Sequence, residues 1–487
     1  MMMSAAHGGE ILRAPRIWGP VRGNFSPPGS KSLTQRYMML AALADGVSTI
    51  DNPLDAVDTR ALAAGLATLG AQVRWPKNGA LEIVGVNGIF PSCGFLNAVD
   101  GGTPARFLMA AACLATGIST LDGSARLRQR PMDDGVDLLN SLGADISRVA
   151  DTQLPLRITP TEIFRNGGSC SVAALASSQF ISALLLIAPW LKRGMQVEFE
   201  GAQPSVSYID LTVDCLLQVG VDVVWNSEHG TIDIPPTRLQ KFHVTIEPDA
   251  SSAAYAMALA AIVPGSEITF ANLPRASHQP DMAVFDALIQ LGARDCSSEK
   301  CAAIGFGKPL KGGVLDASRW PDGSLAVMAA AAFATAPVEI RGLGTLAGKE
   351  SNRIEAMSKW LRAIGATVES GADWIRIDGR LTHAKEISLN KSNTNSVGTF
   401  KASLDTKTNL NTVVNENSSR NADTNSQPIH AEIVVNPYAD HRIAMSAAVA
   451  GAYRGGISIS DPGCVEKSWP SFWNDWHRLL SGIEGSA

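Results

Sequence analysis

The stretch Val284-Phe285-Asp286-Ala287-Leu288-Ile289-Gln290-Leu291-Gly292-Ala293 sets the frame for the whole chain. Apolar residues at helical spacing make one buried face of an amphipathic helix, and the glycine supplies the left-handed conformation that stops it. The same ending recurs as Leu62…Leu69-Gly70-Ala71, Val136…Leu142-Gly143-Ala144, Ile209…Val219-Gly220-Val221 and Ile354…Ile364-Gly365-Ala366. Successive glycines in this series are 72 to 77 residues apart. A Leu-x-Gly helix ending is common in itself, but such regular spacing is the signature of an internal repeat. A short β-branched strand often follows, as in Val221-Asp222-Val223-Val224. A sixth ending, Phe472…Leu480 with Gly482, lies 117 residues beyond Gly365. The excess matches the segment Asn390–Gln427, whose 38 residues include 9 Asn and 12 Ser or Thr. Such a composition buries too little apolar surface to offset the entropy of ordering, so a disordered, tolerated surface insertion is expected there.

Six similar α/β units suggest two lobes of three, in keeping with a chain of 487 residues, too long for one hydrophobic core. The break between lobes is expected near Ile246–Pro248, and one lobe is expected to begin near Pro27-Pro28-Gly29. This gives lobe one as residues 1–27 plus 247–487, carrying the insert, and lobe two as residues 28–246, with two chain crossings between them.

Net charge of −5 provides no general field for nucleic acid or an anionic membrane, so any anion site must be a local cluster of Lys and Arg. The seven cysteines form no CxxC pair, which fits reduced thiols in a cytoplasmic protein better than disulfides or a zinc site. Residues 1–22 hold no continuous apolar run of the signal-peptide kind. Apolar stretches such as Ala183–Trp190 are far shorter than a membrane span.

The chemically richest segment is Pro28-Gly29-Ser30-Lys31-Ser32-Leu33-Thr34-Gln35-Arg36. Ser30 or Ser32 can cap a helix running through Tyr37–Ala44. Its free N–H groups and dipole, with Lys31 and Arg36 alongside, are suited to phosphate. On the residues alone, a capped helix with incidental basic residues competes with that reading. The GxxxxGK[ST] spacing of a Walker A loop is absent.

This segment resembles the opening motif of the EPSP synthase family of enolpyruvyl transferases. Further matches follow in order. Asp100-Gly101-Gly102-Thr103-Pro104-Ala105-Arg106 resembles the family's Asn-Ala-Gly-Thr-x-x-Arg, Gln129-Arg130-Pro131 its Glu-Arg-Pro, and Ser177-Ser178-Gln179-Phe180 its Ser-Ser-Gln-Phe. Ser205-x-x-Tyr208-Ile209-Asp210, Asp249-Ala250-Ser251-Ser252-Ala253-x-Tyr255 and Pro321-Asp322-Gly323 also have counterparts. So do Lys349-Glu350-Ser351-x-Arg353, Asp440-His441-Arg442-x-Ala444-Met445 and Lys467-Ser468-x-Pro470. The resemblance runs from about residue 15 to 480 apart from the insert. It implies a two-lobed fold with three βαβαββ-type repeats per lobe, six in all.

It also implies a reaction, the transfer of the enolpyruvyl group of phosphoenolpyruvate to the 5-hydroxyl of shikimate 3-phosphate, with phosphate released. By resemblance, Lys31, Gly102, Arg130, Gln179, Arg353, Arg442 and Lys467 surround phosphoenolpyruvate. Lys31, Ser32, Arg36, Ser177, Ser178, Gln179, Ser205, Tyr208, Asp322 and Lys349 hold shikimate 3-phosphate. Both substrates carry a carboxylate and a phosphate, so convergent Lys and Arg are what the chemistry requires. Addition and elimination need a group for the hydroxyl proton and one that serves C3 in both directions. Asp322 is the candidate for the first. Glu350 is the candidate for the second, with Lys31 sharing it. Taken alone, Asp322 is a turn residue in Trp-Pro-Asp-Gly, Glu350 an exposed helix residue, and His441 either a base or a structural histidine. The resemblance implies no metal or organic cofactor, small-molecule partners only, and a monomer.

Four positions depart from the family pattern: Asp100 for Asn, Gln129 for Glu, Asn352 for Asp, and Thr345 where many members have Asn. Phe107 follows Arg106 where many herbicide-sensitive members have Pro. An ionised Asp100 facing phosphoenolpyruvate could only accept hydrogen bonds and would repel it, so Asp100 is expected to weaken that substrate's binding. The nearest rival reading is the sibling transferase acting on UDP-N-acetylglucosamine. It usually has Asn after the motif lysine and a loop cysteine, whereas Ser32 follows Lys31 here and Asp122–Met132 has no cysteine. A non-catalytic relative is the second rival; the retained Lys31, Asp322, Glu350 and Arg442 speak against it.

Overall fold

The computed structural model describes residues 11–75, 79–201, 203, 205–380 and 432–482, so the Asn390–Gln427 insert lies outside the described residues. The six periodic glycines all adopt positive φ, from 65° at Gly482 to 127° at Gly292. Each follows an amphipathic helix such as Val57–Leu69, Ala283–Leu291 or Phe472–Ser481.

The unit that repeats is plainest at residues 95–159. Strand Phe95–Asn97, helix Gly102–Ala112, strand Ser119–Asp122, helix Asp133–Ser141 and strands Asp145–Arg148 and Leu156–Thr159 follow in order. The first two strands pair in parallel; the last inserts antiparallel between the second and third. Residues 168–234 and 313–378 repeat that βαβαββ order and pairing. Two further units borrow their first strand. Arg22–Phe25 pairs in parallel with Glu267–Phe270, and His243–Thr245 with Val47–Asp51. In the sixth, Ile433–Val435 runs parallel to Ile457–Ile459, whose other edge takes Leu12–Arg13 antiparallel.

The fold is two-lobed. Buried apolar side chains form two cores, one within residues 33–246 and one from residues 14–25 and 250–479. The two chain segments running between these cores are bonded to each other. Ser30 N–H donates to Glu247 O, and Asp249 N–H to Pro28 O, both at 2.8 Å.

In each core the first helices of the three units pack on one another. Lys31–Leu43, Gly102–Ala112 and Ser178–Ile187 form one trio; Ala250–Ile262, Ser324–Ala331 and His441–Arg454 form the other. Alanine-rich sequence, as in Ala250–Ile262, lets these buried helices approach closely. Their N-termini carry the motif residues: Lys31, Gly102 and Ser178 in one trio, and Asp322-Gly323 and His441-Arg442 in the other. The positive dipole ends of these helices thus accompany the basic side chains. Among the described residues no helix is long and apolar enough to cross a membrane.

Candidate functional site

Between the two cores lies a cavity of about 310 Å³. Seven cations line it, Lys31, Arg36, Arg106, Arg130, Lys349, Arg353 and Arg442, against three carboxylates, Asp58, Asp322 and Glu350. In a chain of net charge −5, an excess of four positive charges at one cavity marks a site for anions.

On the side of residues 31–208, Ser30 is the cap of helix Lys31–Leu43, accepting from Leu33 N–H. Lys31 begins the helix. Its backbone N–H donates to Asp249 Oδ2 at 3.0 Å, and its Nζ meets Asp58 Oδ2 at 2.9 Å. Arg36 is buried, and its guanidinium is held by Thr212 Oγ1, Ser182 Oγ, Tyr208 O and Ser32 O. Burial lowers its pKa from the ordinary value. Gly102 permits a close approach: a Cβ there would lie 2.6 Å from Arg130 Nη1. Gln179 Oε1 accepts from Arg106 Nη1 at 2.6 Å, and Arg106 lies over the Phe180 ring. Burial, with Arg130 adding repulsion, brings Arg106 down to about 9, so it remains cationic at neutral pH. Ser205 lines the cavity with φ of 51°, a conformation uncommon for serine that stores strain beside the site.

On the side of residues 322–442, one arginine organises the acids. Arg353 is buried; its Nη1 donates to Asp322 Oδ1 and its Nη2 to Glu350 Oε2, both at 2.8 Å. Asp440, fully buried, takes its Nε at 2.8 Å and also accepts from Arg442 N–H as the cap of helix His441–Arg454. Asp322 further meets Lys349 Nζ at 3.2 Å and Arg442 Nη2 at 3.7 Å. Glu350 meets Lys467 Nζ at 2.9 Å and, from the other side of the cavity, Arg130 Nη1 at 3.5 Å. Burial alone would raise both acids. For Asp322 it is outweighed by Lys349, Arg442 and Arg353, and for Glu350 by Lys467, Arg353 and Arg130, so both carboxyls stand well below the usual range. His441 is pushed well below its usual value by burial and by Lys31, leaving a neutral imidazole whose Nδ1 has no hydrogen-bond partner among the described residues.

Of the residues singled out from sequence, Lys31, Ser32, Arg36, Gly102, Arg130, Ser177, Ser178, Gln179, Ser205, Tyr208, Asp322, Lys349, Glu350, Arg353 and Arg442 all line this one cavity. Lys467 does not. It stands behind Glu350, and its Nζ also donates to Asp100 O at 3.0 Å, linking the two sides. Asp100 corrects an expectation. Its carboxylate is turned to the Ser124 hydroxyl and it lines a neighbouring recess, so only its backbone oxygen approaches the site, through Lys467. Arg106, Thr345 and His441, named from sequence without an assigned substrate contact, also line the cavity, as does Asp58, which was not singled out from sequence. Asp58, acidic in the first turn of helix Val57–Leu69, carried only the weak signal of a helix start. Among the described residues no group of three or more His, Cys, Asp or Glu is arranged to hold a metal ion.

A family model described as EPSP synthase (3-phosphoshikimate 1-carboxyvinyltransferase) matches residues 15–398 and 410–476. The chain is 34% identical over 465 residues to the 3-phosphoshikimate 1-carboxyvinyltransferase of Shewanella sp. (strain ANA-3), covering 94% of this chain and 97% of that protein. It is 32% identical over 469 residues to the protein of that name from Shewanella halifaxensis (strain HAW-EB4), covering 95% and 97%. Among solved structures, an EPSP synthase from Acinetobacter baumannii superposes with a TM-score of 0.72 at 24% identity, covering 96% of this chain and 98% of that one. The enolpyruvyl transferase NikO from Streptomyces tendae does so at 0.66 with 16% identity, covering 97% and 98%.

Proposed function

The chain belongs to the EPSP synthase (3-phosphoshikimate 1-carboxyvinyltransferase) family, and from that premise we infer how its cavity carries out the transfer. The enzyme moves the enolpyruvyl group of phosphoenolpyruvate to the 5-hydroxyl of shikimate 3-phosphate and releases phosphate. The observation that carries this reading is the cavity's charge: seven cations for two substrates that each bring a carboxylate and a phosphate, with two acids set among them.

In our assignment Lys31, Arg130, Arg353, Arg442 and Gln179, with the Gly102 helix end, bind phosphoenolpyruvate, while Lys467, behind Glu350, braces that carboxylate. Lys31, Ser32, Arg36, Ser177, Ser178, Gln179, Ser205, Tyr208 and Lys349 bind shikimate 3-phosphate. Asp322 accepts the proton of the 5-hydroxyl as its oxygen adds to C2 of the enol, and Glu350 with Lys31 delivers a proton to C3. The tetrahedral adduct then loses phosphate from C2 while a C3 proton returns to Glu350 and Asp322 passes the hydroxyl proton to the departing phosphate, restoring the enol ether and the enzyme.

The ionic contacts of the free cavity bear on how these acids come into play. Arg353, Arg442 and Lys349 are compensated by Asp322, and Arg353, Arg130 and Lys467 by Glu350. Substrate carboxylate and phosphate compete for the same cations, and bidentate arginine pairs with such groups are strong. Each substrate anion that draws a cation away leaves Asp322 or Glu350 less stabilised as an anion, which raises its pKa toward the range useful for proton transfer. The substrates thus switch on the acid and base that process them.

We take the lobes to be residues 1–27 with 247–487 and residues 28–246, a division supported by the two separate cores. We also assign the enzyme to the cytoplasm, where reduced thiols such as its seven free cysteines persist, and take it to act as a monomer. Release of phosphate from phosphoenolpyruvate, measured with shikimate 3-phosphate and with UDP-N-acetylglucosamine as acceptors, tests the function. Turnover is expected with the first alone. Turnover with the second, or with neither, overturns the reading.

A further inference from the structure

Asp281 lies outside the cavity, on the short 3-10 turn Pro280–Met282, and is 1% exposed. Its Oδ1 accepts the backbone N–H of Gly323 at 3.1 Å. Its Oδ2 accepts the Ser251 hydroxyl and lies 3.8 Å from Arg442 Nη1. That same Nη1 donates to the carbonyl oxygen of Asp322 at 3.3 Å. The Asp322 carbonyl and the Gly323 N–H belong to one planar peptide unit. One peptide plane is therefore gripped at both edges, at its oxygen by Arg442 and at its N–H by Asp281, and these two grips face each other as an ion pair.

The fit is close. A Cβ on Gly323 would lie 2.6 Å from Val284 Cγ2 and 3.0 Å from Asp281 Cγ, so the turn can seat itself against Asp281 only with glycine there. Fixing this plane fixes the direction in which the Asp322 side chain leaves the backbone, toward Arg353 at 2.8 Å and Lys349 at 3.2 Å. Burial pushes the Asp281 carboxyl up to about 6, with Arg442 opposing, so at neutral pH it is still an anion able to hold both partners. The other charged or titratable groups around it are Asp322, Asp249 and Tyr208.

We propose that Asp281 is a positioning residue for the transfer reaction, holding the Asp322–Gly323 peptide and Arg442 so that the Asp322 carboxylate stands where it takes the hydroxyl proton. The proposal rests on the assignment of Asp322 as proton acceptor. Misplacing a reacting group by about 1 Å costs up to roughly a hundredfold in rate, whereas substrate binding by other residues is little changed.

The test compares wild type, Asp281→Asn and Asp281→Ala by steady-state kinetics with phosphoenolpyruvate and shikimate 3-phosphate, and by crystal structures of all three. Asn keeps an oxygen acceptor for the Gly323 N–H and nearly the same volume; Ala removes both. Expected is a kcat within about fivefold of wild type for Asp281→Asn and lower by roughly thirtyfold for Asp281→Ala, with KM for shikimate 3-phosphate within about threefold in both. The Asp322 carboxylate should leave Arg353 in the Ala structure and stay in the Asn structure. Gly323→Ala, which forces the turn off an intact Asp281, should reproduce the kcat loss and decides the matter if Asp281→Ala does not fold. Wild-type kcat in Asp281→Ala or Gly323→Ala, or an Asp322 that does not move in the variant structures, overturns the proposal. A wild-type enzyme inactive with shikimate 3-phosphate would instead sink the reading of function, while the three structures would still decide whether Asp281 positions Asp322.

Discussion

One wall of the cavity, from residues 31–208, presents serine hydroxyls, helix N-termini and four cations, with Asp58 as its single carboxylate. The other, from residues 322–442, presents three cations and two carboxylates, each acid within 3.7 Å of three cations. The first arrangement suits groups whose charge stays constant, such as the phosphate and carboxylate of an incoming ligand. The second suits groups whose charge must change, because every acid sits beside cations that a ligand can take over. In our assignment shikimate 3-phosphate is held mainly by the first wall, whereas the acids Asp322 and Glu350 stand on the second beside the phosphoenolpyruvate-binding Arg353 and Arg442, so the reaction requires both walls at once.

That contrast can be broken most severely on the acid-bearing wall. Asp322→Asn and Glu350→Gln are each expected to lower kcat by roughly a hundredfold or more, read as phosphate release at saturating substrates. Near-normal turnover in either variant removes that residue from the mechanism. On the opposite wall the effect should be smaller and of a different kind. Ser32→Ala removes one hydrogen bond to a charged ligand, expected to raise KM for shikimate 3-phosphate by roughly tenfold and change kcat less than about twofold. A fall in kcat with unchanged KM would erase the distinction between the walls. The smallest effect is expected at Asp100, whose carboxylate faces Ser124 rather than the cavity. Asp100→Asn should leave KM for phosphoenolpyruvate within about twofold. A several-fold drop would show that the side chain turns inward when substrate binds.

Much of this was legible in the sequence because its signals are local. A glycine at a helix end needs only its own φ, so Gly70, Gly143, Gly220, Gly292, Gly365 and Gly482 announced the six units without any tertiary contact. The motif residues were legible for a related reason: they cluster at the N-termini of first helices, where a short run of sequence supplies cap, cation and hydroxyl together. What escaped notice acts over long range. Asp58 matters because Nζ of Lys31, 27 residues earlier, reaches it. Asp281 matters because it takes an N–H from Gly323, 42 residues later. Neither sits in a periodic pattern, and an aspartate in a short turn or a helix's first turn has ordinary structural explanations. Lys467 and Asp100 show the same limit. Lys467 fitted the family pattern and Asp100 departed from it, but which way each side chain faces depends on a contact between segments 367 residues apart.

The separation of shikimate 3-phosphate binding from the proton-transfer acids is tested most directly by titrating that substrate calorimetrically into Glu350→Gln, the variant expected to have lost turnover. A dissociation constant within about threefold of wild type is predicted, because the groups that hold this substrate lie mainly on the other wall. An affinity weaker by tenfold or more would contradict the account, placing Glu350 in binding and merging the roles of the two walls.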